Sequence, residues 1–145
     1  MHPMDPMTVI RLISGVVGMS FLIGLLVVHI IIIIFVYNDY QSVPPSFRKL
    51  EPGLVWLLLI PCFPIVWNFW VFPKLADSFK AYFDSVGDQS VGNCGHDLAL
   101  AYCICSAVSI IPYLGCLTGI AALVLLIMFL VKAQELKSRI PARVM

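Results

Sequence analysis

The sequence predicts an all-α integral membrane protein with four transmembrane helices, the third and fourth forming a tight hairpin, plus a short interfacial helix. Three observations carry this. In Leu12 to Tyr37, twenty-six residues, His29 is the one ionisable side chain before the terminal tyrosine, and an apolar run above about 18 residues can cross the hydrocarbon core as a helix. Over all 145 residues, 61% are hydrophobic and 12% charged, against roughly 25% charged in soluble domains. The remaining apolar sequence falls into two further blocks, Leu54 to Phe72 and Leu98 to Val131, leaving no room for a separate soluble domain.

The first span is read at 12–37. Met1 to Ser20 lacks a basic n-region and a small-residue cleavage site, so this segment reads as a retained anchor and not a signal peptide. The second span, at 54–72, opens on Pro52-Gly53 and closes on Pro73-Lys74, with Trp56 toward one end and Trp67 and Trp70 toward the other. Such indoles suit the two interfacial belts. Pro61 and Pro64 each remove a helix donor and are expected to kink this span. Beyond it, Leu75, Phe79, Tyr82, Phe83 and Val86 recur at helical spacing among Lys74, Asp77, Lys80 and Asp84, the pattern of an interfacial helix over 74–86.

The third block is 34 residues long, about 51 Å as one helix, which would need a tilt beyond the usual range of roughly 0 to 40°. Pro112-Tyr113-Leu114-Gly115 in its middle is turn chemistry. Two spans, 95–111 and 115–131, reversed at Pro112 and Gly115, are therefore expected, with a re-entrant hairpin as the alternative for these short arms. Basic residues fit a cytoplasmic N- and C-terminus. Arg11, Lys74, Lys80, Lys132, Lys137, Arg139 and Arg143 then lie inside, and Arg48 and Lys49 outside.

Small residues mark where membrane helices approach closely. Gly115 and Gly119 on the fourth span, with Ala99, Cys103, Ser106 and Ala107 along one side of the third, are expected to pack together. Asp97, or Asn93 one turn earlier, is a candidate cap for the third helix.

Chemistry-bearing residues are few. His29, among aliphatic neighbours, is the candidate ligand for a haem or chlorin. The favoured reading is a neutral histidine bonded to Asn68 or to a carbonyl freed by Pro61 or Pro64, since no second intramembrane histidine accompanies it. Cys62, Cys103, Cys105 and Cys116 lie in apolar segments as small hydrophobes. Cys94-Gly95-His96-Asp97 offers half a zinc site at most, so no metal is expected. No nucleophile elbow, phosphate-binding loop or dinucleotide fingerprint occurs. A net charge of +1 gives no basic surface for nucleic acid.

Pro52-Gly53-Leu54-Val55-Trp56-Leu57-Leu58-Leu59-Ile60-Pro61, followed by Phe63, Trp67, Phe69, Leu75-Ala76-Asp77-Ser78, Leu100-Ala101-Tyr102-Cys103 and Ile111-Pro112-Tyr113-Leu114-Gly115, resembles a group of small uncharacterised bacterial multi-span membrane proteins. The resemblance covers about Pro52 to Lys137. Some of that group carry a GYF-like domain, which this chain lacks. It implies a bacterial inner membrane location and carries over no catalytic residues. The expected function is a non-enzymatic structural or accessory subunit of a larger membrane complex, with lipid bilayer and other membrane subunits as partners and no cofactor. The alternatives are a haem-, chlorin- or lipid-binding protein using His29, and a small transporter component.

Overall fold

The computed structural model describes residues 5–60, 63–111 and 115–141, the side chain of Cys116 excepted. The expected kink at Pro61 and turn at Pro112 lie outside these residues. All regular structure among the described residues is helical. The chain divides into two compact units, the first ending at Ile32 and the second beginning at Ile33.

The first unit belongs to α1, Pro6–Ser42. Pro6 opens the helix, where a missing N–H costs nothing, and the Asp5 carbonyl accepts from the Thr8 and Val9 amides at 2.8 and 3.2 Å. At about 1.5 Å per residue its 37 residues measure about 55 Å. Apolar side chains on every face of the first unit are exposed, among them Val16, Val17, Phe21, Leu22 and Ile23. Gly15, Gly18 and Gly24 have nothing within 4 Å of a Cβ built on them.

In the second unit, the last turns of α1 turn their apolar side inward. Ile33, Val36, Tyr40 and Val43 are completely buried. Pro44 and Pro45 end the helix, and Arg48 closes it by donating from Nε to the Val43 carbonyl (2.7 Å) and from Nη2 to the Gln41 carbonyl (2.8 Å). These are carbonyls that a helix end leaves without partners.

Residues 54–72 do not form the single span expected of them. A 3-10 segment, Pro52–Leu59, is followed by α2, Pro64–Val86, and the two lie against each other. The Trp67 indole donates to the Leu54 carbonyl at 3.0 Å. The Lys49 amide donates to Ser78 Oγ at 2.9 Å, and Tyr40 Oη donates to the Val71 carbonyl at 2.6 Å. Successive pairs 49/78 and 54/67 are the signature of a hairpin. Pro64 occupies the first turn of α2 instead of kinking a helix, and Trp67 lies beside the 3-10 segment that carries Trp56.

Nor is 74–86 a separate interfacial helix. α2 runs through Pro73 because its buried side is continuous across it: Asn68, Val71, Phe72, Leu75, Ala76, Phe79, Tyr82 and Phe83. An interior proline costs about 3 kcal/mol, and full burial of each large apolar side chain returns about 1.5–3 kcal/mol. Packing wins over the local breaker. The helix stops in a left-handed Gly87 (φ 78°), whose amide bonds the Asp84 carbonyl while that of Asp88 bonds Phe83, a pairing that favours glycine.

α3, His96–Val108, and α4, Gly115–Arg139, pack antiparallel, with Gly95 near Phe129 and Gly115 near Ser109. The inward stripe on α4, continued just past the helix end, is Ala122, Leu126, Phe129, Ala133, Leu136 and Ile140, a 4-3-4-3-4 spacing suited to a seam of packed helices. Phe72 of α2 joins both arms, ring to ring with Tyr102 (4.8 Å) and Phe129 (5.6 Å). α1 and residues Leu117–Arg139 of α4 are long and apolar enough to cross a membrane. α3, with 13 residues, spans only about 20 Å.

The expected division of loops between two sides also changes. Gln134 and Lys137 of α4 bond to Asp39 of α1, and Lys49 bonds to Ser78. The segment carrying Arg48 and Lys49 therefore sits with the end of α4 and the second half of α2, not on the opposite side from them.

Candidate functional site

The polar end of the second unit gathers residues that are far apart in sequence. Its centre is Asp39, which lies on the face of α1 one turn after Phe35 and is completely buried. Gln134 Nε2 donates to Asp39 Oδ1 at 2.9 Å, and Lys137 Nζ lies 3.6 Å from the same oxygen. Lys137 also reaches the Asn38 carbonyl at 3.5 Å. Asp39 Oδ2 is buried and accepts no hydrogen bond from any described residue. A buried carboxylate needs a cation and donors to offset its lost hydration; here α4 brings both on one face, Gln134 and Lys137 three residues apart. Ser42 Oγ donates to the Asp39 main-chain carbonyl at 2.7 Å and keeps this last turn closed.

Beside this cluster lies an open cleft of about 570 Å³ lined by Tyr37, Gln41, Arg48, Lys49, Glu51 and Gly53, with Pro45, Leu50 and Pro52 completing it. Gln41 Nε2 donates to Tyr37 Oη at 2.7 Å, which leaves the tyrosine proton available to a further acceptor. The Tyr37 ring stands 6.4 Å from that of Trp56. A second opening, lined by Asn38, Gln41, Ser42, Arg48 and Lys137, shares Gln41 and Arg48 with the first.

A third polar group surrounds the turn into α3. His96 Nε2 lies 3.7 Å from Asp77 Oδ1, with Lys80 and Asn93 lining the same small depression. Asp97 does not cap the helix; it stands in the first turn and accepts from Asn93 Nδ2 at 2.9 Å, where its charge suits the positive end of the helix dipole. The residue before the helix is a left-handed Gly95 (φ 83°), and a Cβ there would meet the Phe129 ring at 3.4 Å. Cys94, also at positive φ, is buried, and burial pushes its thiol above the ordinary value. Asp88 is held below the usual carboxylate range by hydrogen bonds from the Ser90 hydroxyl and amide. Glu135 bridges Lys132 (2.9 Å) and Arg139 (2.8 Å) along the exposed side of α4.

The residues singled out from sequence fall as follows. Ala99 and Cys103 are buried against the rest of the second unit, whereas Ser106 and Ala107 are half-buried. Gly119 has nothing within 4 Å of a built Cβ, so it is not a point of close helix approach. Gly115 is such a point, but toward the turn: its Cβ would stand 2.5 Å from the Ser109 carbonyl oxygen. His29 is half-buried on α1 in the first unit. Asn68 is buried on α2. Among the described residues no three His, Cys, Asp or Glu side chains are placed to hold a metal ion.

The sequence alone does not single out Asp39. Its partners lie 95 and 98 positions away, and the one local hint is a carboxylate on the buried phase of α1, between Val36 and Val43. No known protein family, curated protein or solved structure matches the chain.

Proposed function

We propose that the protein is a non-enzymatic integral membrane protein, anchored by α1, that serves as an accessory subunit of a larger assembly in a bacterial inner membrane. The observation that carries this reading is the first unit itself. Apolar side chains around the whole circumference of a helix are exposed, Val16 at 66%, Phe21 at 67% and Leu22 at 63%, and water does not solvate such a surface stably. Lipid tails or the helices of partner subunits do. Exposed Leu117, Ile120, Leu123, Val124, Ile127 and Val131 on the outer side of α4 support the same environment for the second unit.

The bonds that gather Arg48, Lys49, Lys132, Lys137 and Arg139 at one polar end favour a revised orientation. With that end cytoplasmic, the basic residues obey the positive-inside rule, and α1 carries Arg11 to the outer face. The 52–72 hairpin and the α3/α4 hairpin then enter the bilayer from the cytoplasmic side. The N-terminus is outside and the C-terminus inside.

Alkaline carbonate extraction and side-specific labelling test this. The protein is expected to stay in the membrane pellet. In a cysteine-free background, a cysteine replacing Asp5 should label from outside and one replacing Ser138 from inside. Labelling of both from one side overturns the orientation. Purification from native membranes in mild detergent tests the accessory role: a partner chain retained in stoichiometric amount supports it, and a protein that runs alone refutes it.

A further inference from the structure

We propose that the cleft at the end of α1 binds a phosphodiester headgroup bearing a primary ammonium, with the phosphate held by Arg48, Lys49 and Tyr37 and the ammonium by Glu51. The site has three kinds of donor and one acid around a single opening. Arg48 is fixed in place, because its Nε and Nη2 are bonded to the Val43 and Gln41 carbonyls; its remaining nitrogen, Nη1, is bonded to no described residue. Closing the helix end explains those two bonds but leaves the neighbours unexplained. Lys49 and Glu51 stand on the same cleft, and neither forms an ion pair with a described residue. Tyr37 receives a bond from Gln41 and so has its own proton to donate.

This arrangement discriminates by charge and shape. A fixed guanidinium with a flexible ammonium and a phenol beside it matches the spread-out oxygens of a phosphate better than a single small anion. Arg48 and Lys49 give the phosphate two cationic partners, and Glu51 gives the ammonium an anionic one. A headgroup without an amine leaves Glu51 facing the phosphate unbalanced.

The chemistry is shared by an aminophospholipid and by free phosphoethanolamine, and the surroundings favour the lipid. Leu54, Trp56 and Leu59, in the segment that continues from the lining residue Gly53, are exposed, and Trp56, whose ring stands 6.4 Å from that of the lining residue Tyr37, is the residue type found at headgroup depth. An acyl chain has apolar surface to follow once the headgroup is seated. The lipid source rests on the membrane reading above, whereas the headgroup site does not.

Native mass spectrometry of the full chain, offered equimolar phosphatidylethanolamine, phosphatidylglycerol and phosphatidylcholine in detergent, tests the site. One phosphatidylethanolamine adduct is expected, favoured about fivefold or more over the other two, a difference of the size one charge-assisted contact confers. K49Q, which leaves the α1 closure intact, should lower that adduct severalfold, and E51Q should make phosphatidylethanolamine and phosphatidylglycerol bind alike. The R48Q variant, checked for an unchanged melting transition, should abolish the preference. Equal binding of all three lipids to the native chain, or adducts unchanged in K49Q and E51Q, overturns the proposal. Millimolar free phosphoethanolamine that displaces the lipid fully assigns the site to a soluble headgroup. Little displacement assigns it to the lipid. A protein found soluble after carbonate treatment removes the membrane reading, while binding of free phosphoethanolamine still decides the site.

Discussion

One helix, α1, passes through two environments. Up to Ile32 it is apolar on all sides and exposed; from Ile33 it becomes two-sided, with Ile33, Val36 and Tyr40 completely buried and Asp39 among them. Residue type alone does not mark the change, since Ile32 and Ile33 are identical neighbours. What changes is the presence of aromatic and polar residues with long-range partners: Tyr40 on Val71, Asp39 on Gln134 and Lys137, Tyr37 against Trp56. A helix in lipid needs only greasy side chains, whereas a helix in a folded core needs specific ones.

That contrast should appear most strongly in truncations of aromatic side chains. Phe72→Ala removes a ring buried against Tyr102 and Phe129 and is expected to cost about 3–5 kcal/mol of stability. Phe21→Ala, in the first unit, should change the unfolding midpoint in detergent by less than about 0.5 kcal/mol equivalent. Comparable losses at both positions would mean that the first unit is packed as tightly as the second.

The next largest effect is expected at the buried ion pair. Lys137→Met strands the Asp39 carboxylate and should destabilise by about 3 kcal/mol. Asp39→Asn combined with Lys137→Met should recover much of that loss, because the amide carries no charge to strand. A denaturant-unfolding double-mutant cycle measures the coupling; additive losses would show that the pair acts as two separate packing residues.

The glycines give a smaller and more local comparison. Gly115→Ala pushes a methyl group to 2.5 Å from the Ser109 carbonyl oxygen, and the resulting shift of the α4 start against the end of α3 should cost about 1–3 kcal/mol. Gly119→Ala meets nothing within 4 Å and should raise stability slightly, by up to about 1 kcal/mol, through helix propensity. Thermal unfolding in one detergent ranks the two, and equal effects would contradict the turn geometry.

Much of the helical content was legible in the sequence because it depends on local signals. The long uncharged run at Leu12 to Tyr37 could be read directly as a helix long enough to cross a membrane. The doubling back at 54–72 was not, because the same run of apolar residues serves a straight span and a hairpin equally well; the choice is made by Trp67 finding the Leu54 carbonyl. Pro73 misled in the opposite direction. Its local penalty is real, but the stripe from Val71 to Phe83 outweighs it, and no single-residue propensity carries that information. The cluster at Asp39 was illegible for a simpler reason, since the sequence distance to Gln134 exceeds any helical or turn period.

The distance between Asp39 and its partners also sets an order of events in the life of the chain. Asp39 leaves the ribosome 95 residues before Gln134, an interval of about 5–20 s at typical synthesis rates. Throughout that time its carboxylate has neither the amide nor the ammonium that accompany it in the finished fold. The end of α1 must therefore wait in water or in its protonated form, and this part of the second unit can close only when α4 emerges. A nascent chain stopped short of Gln134 would leave Asp39 open to solvent.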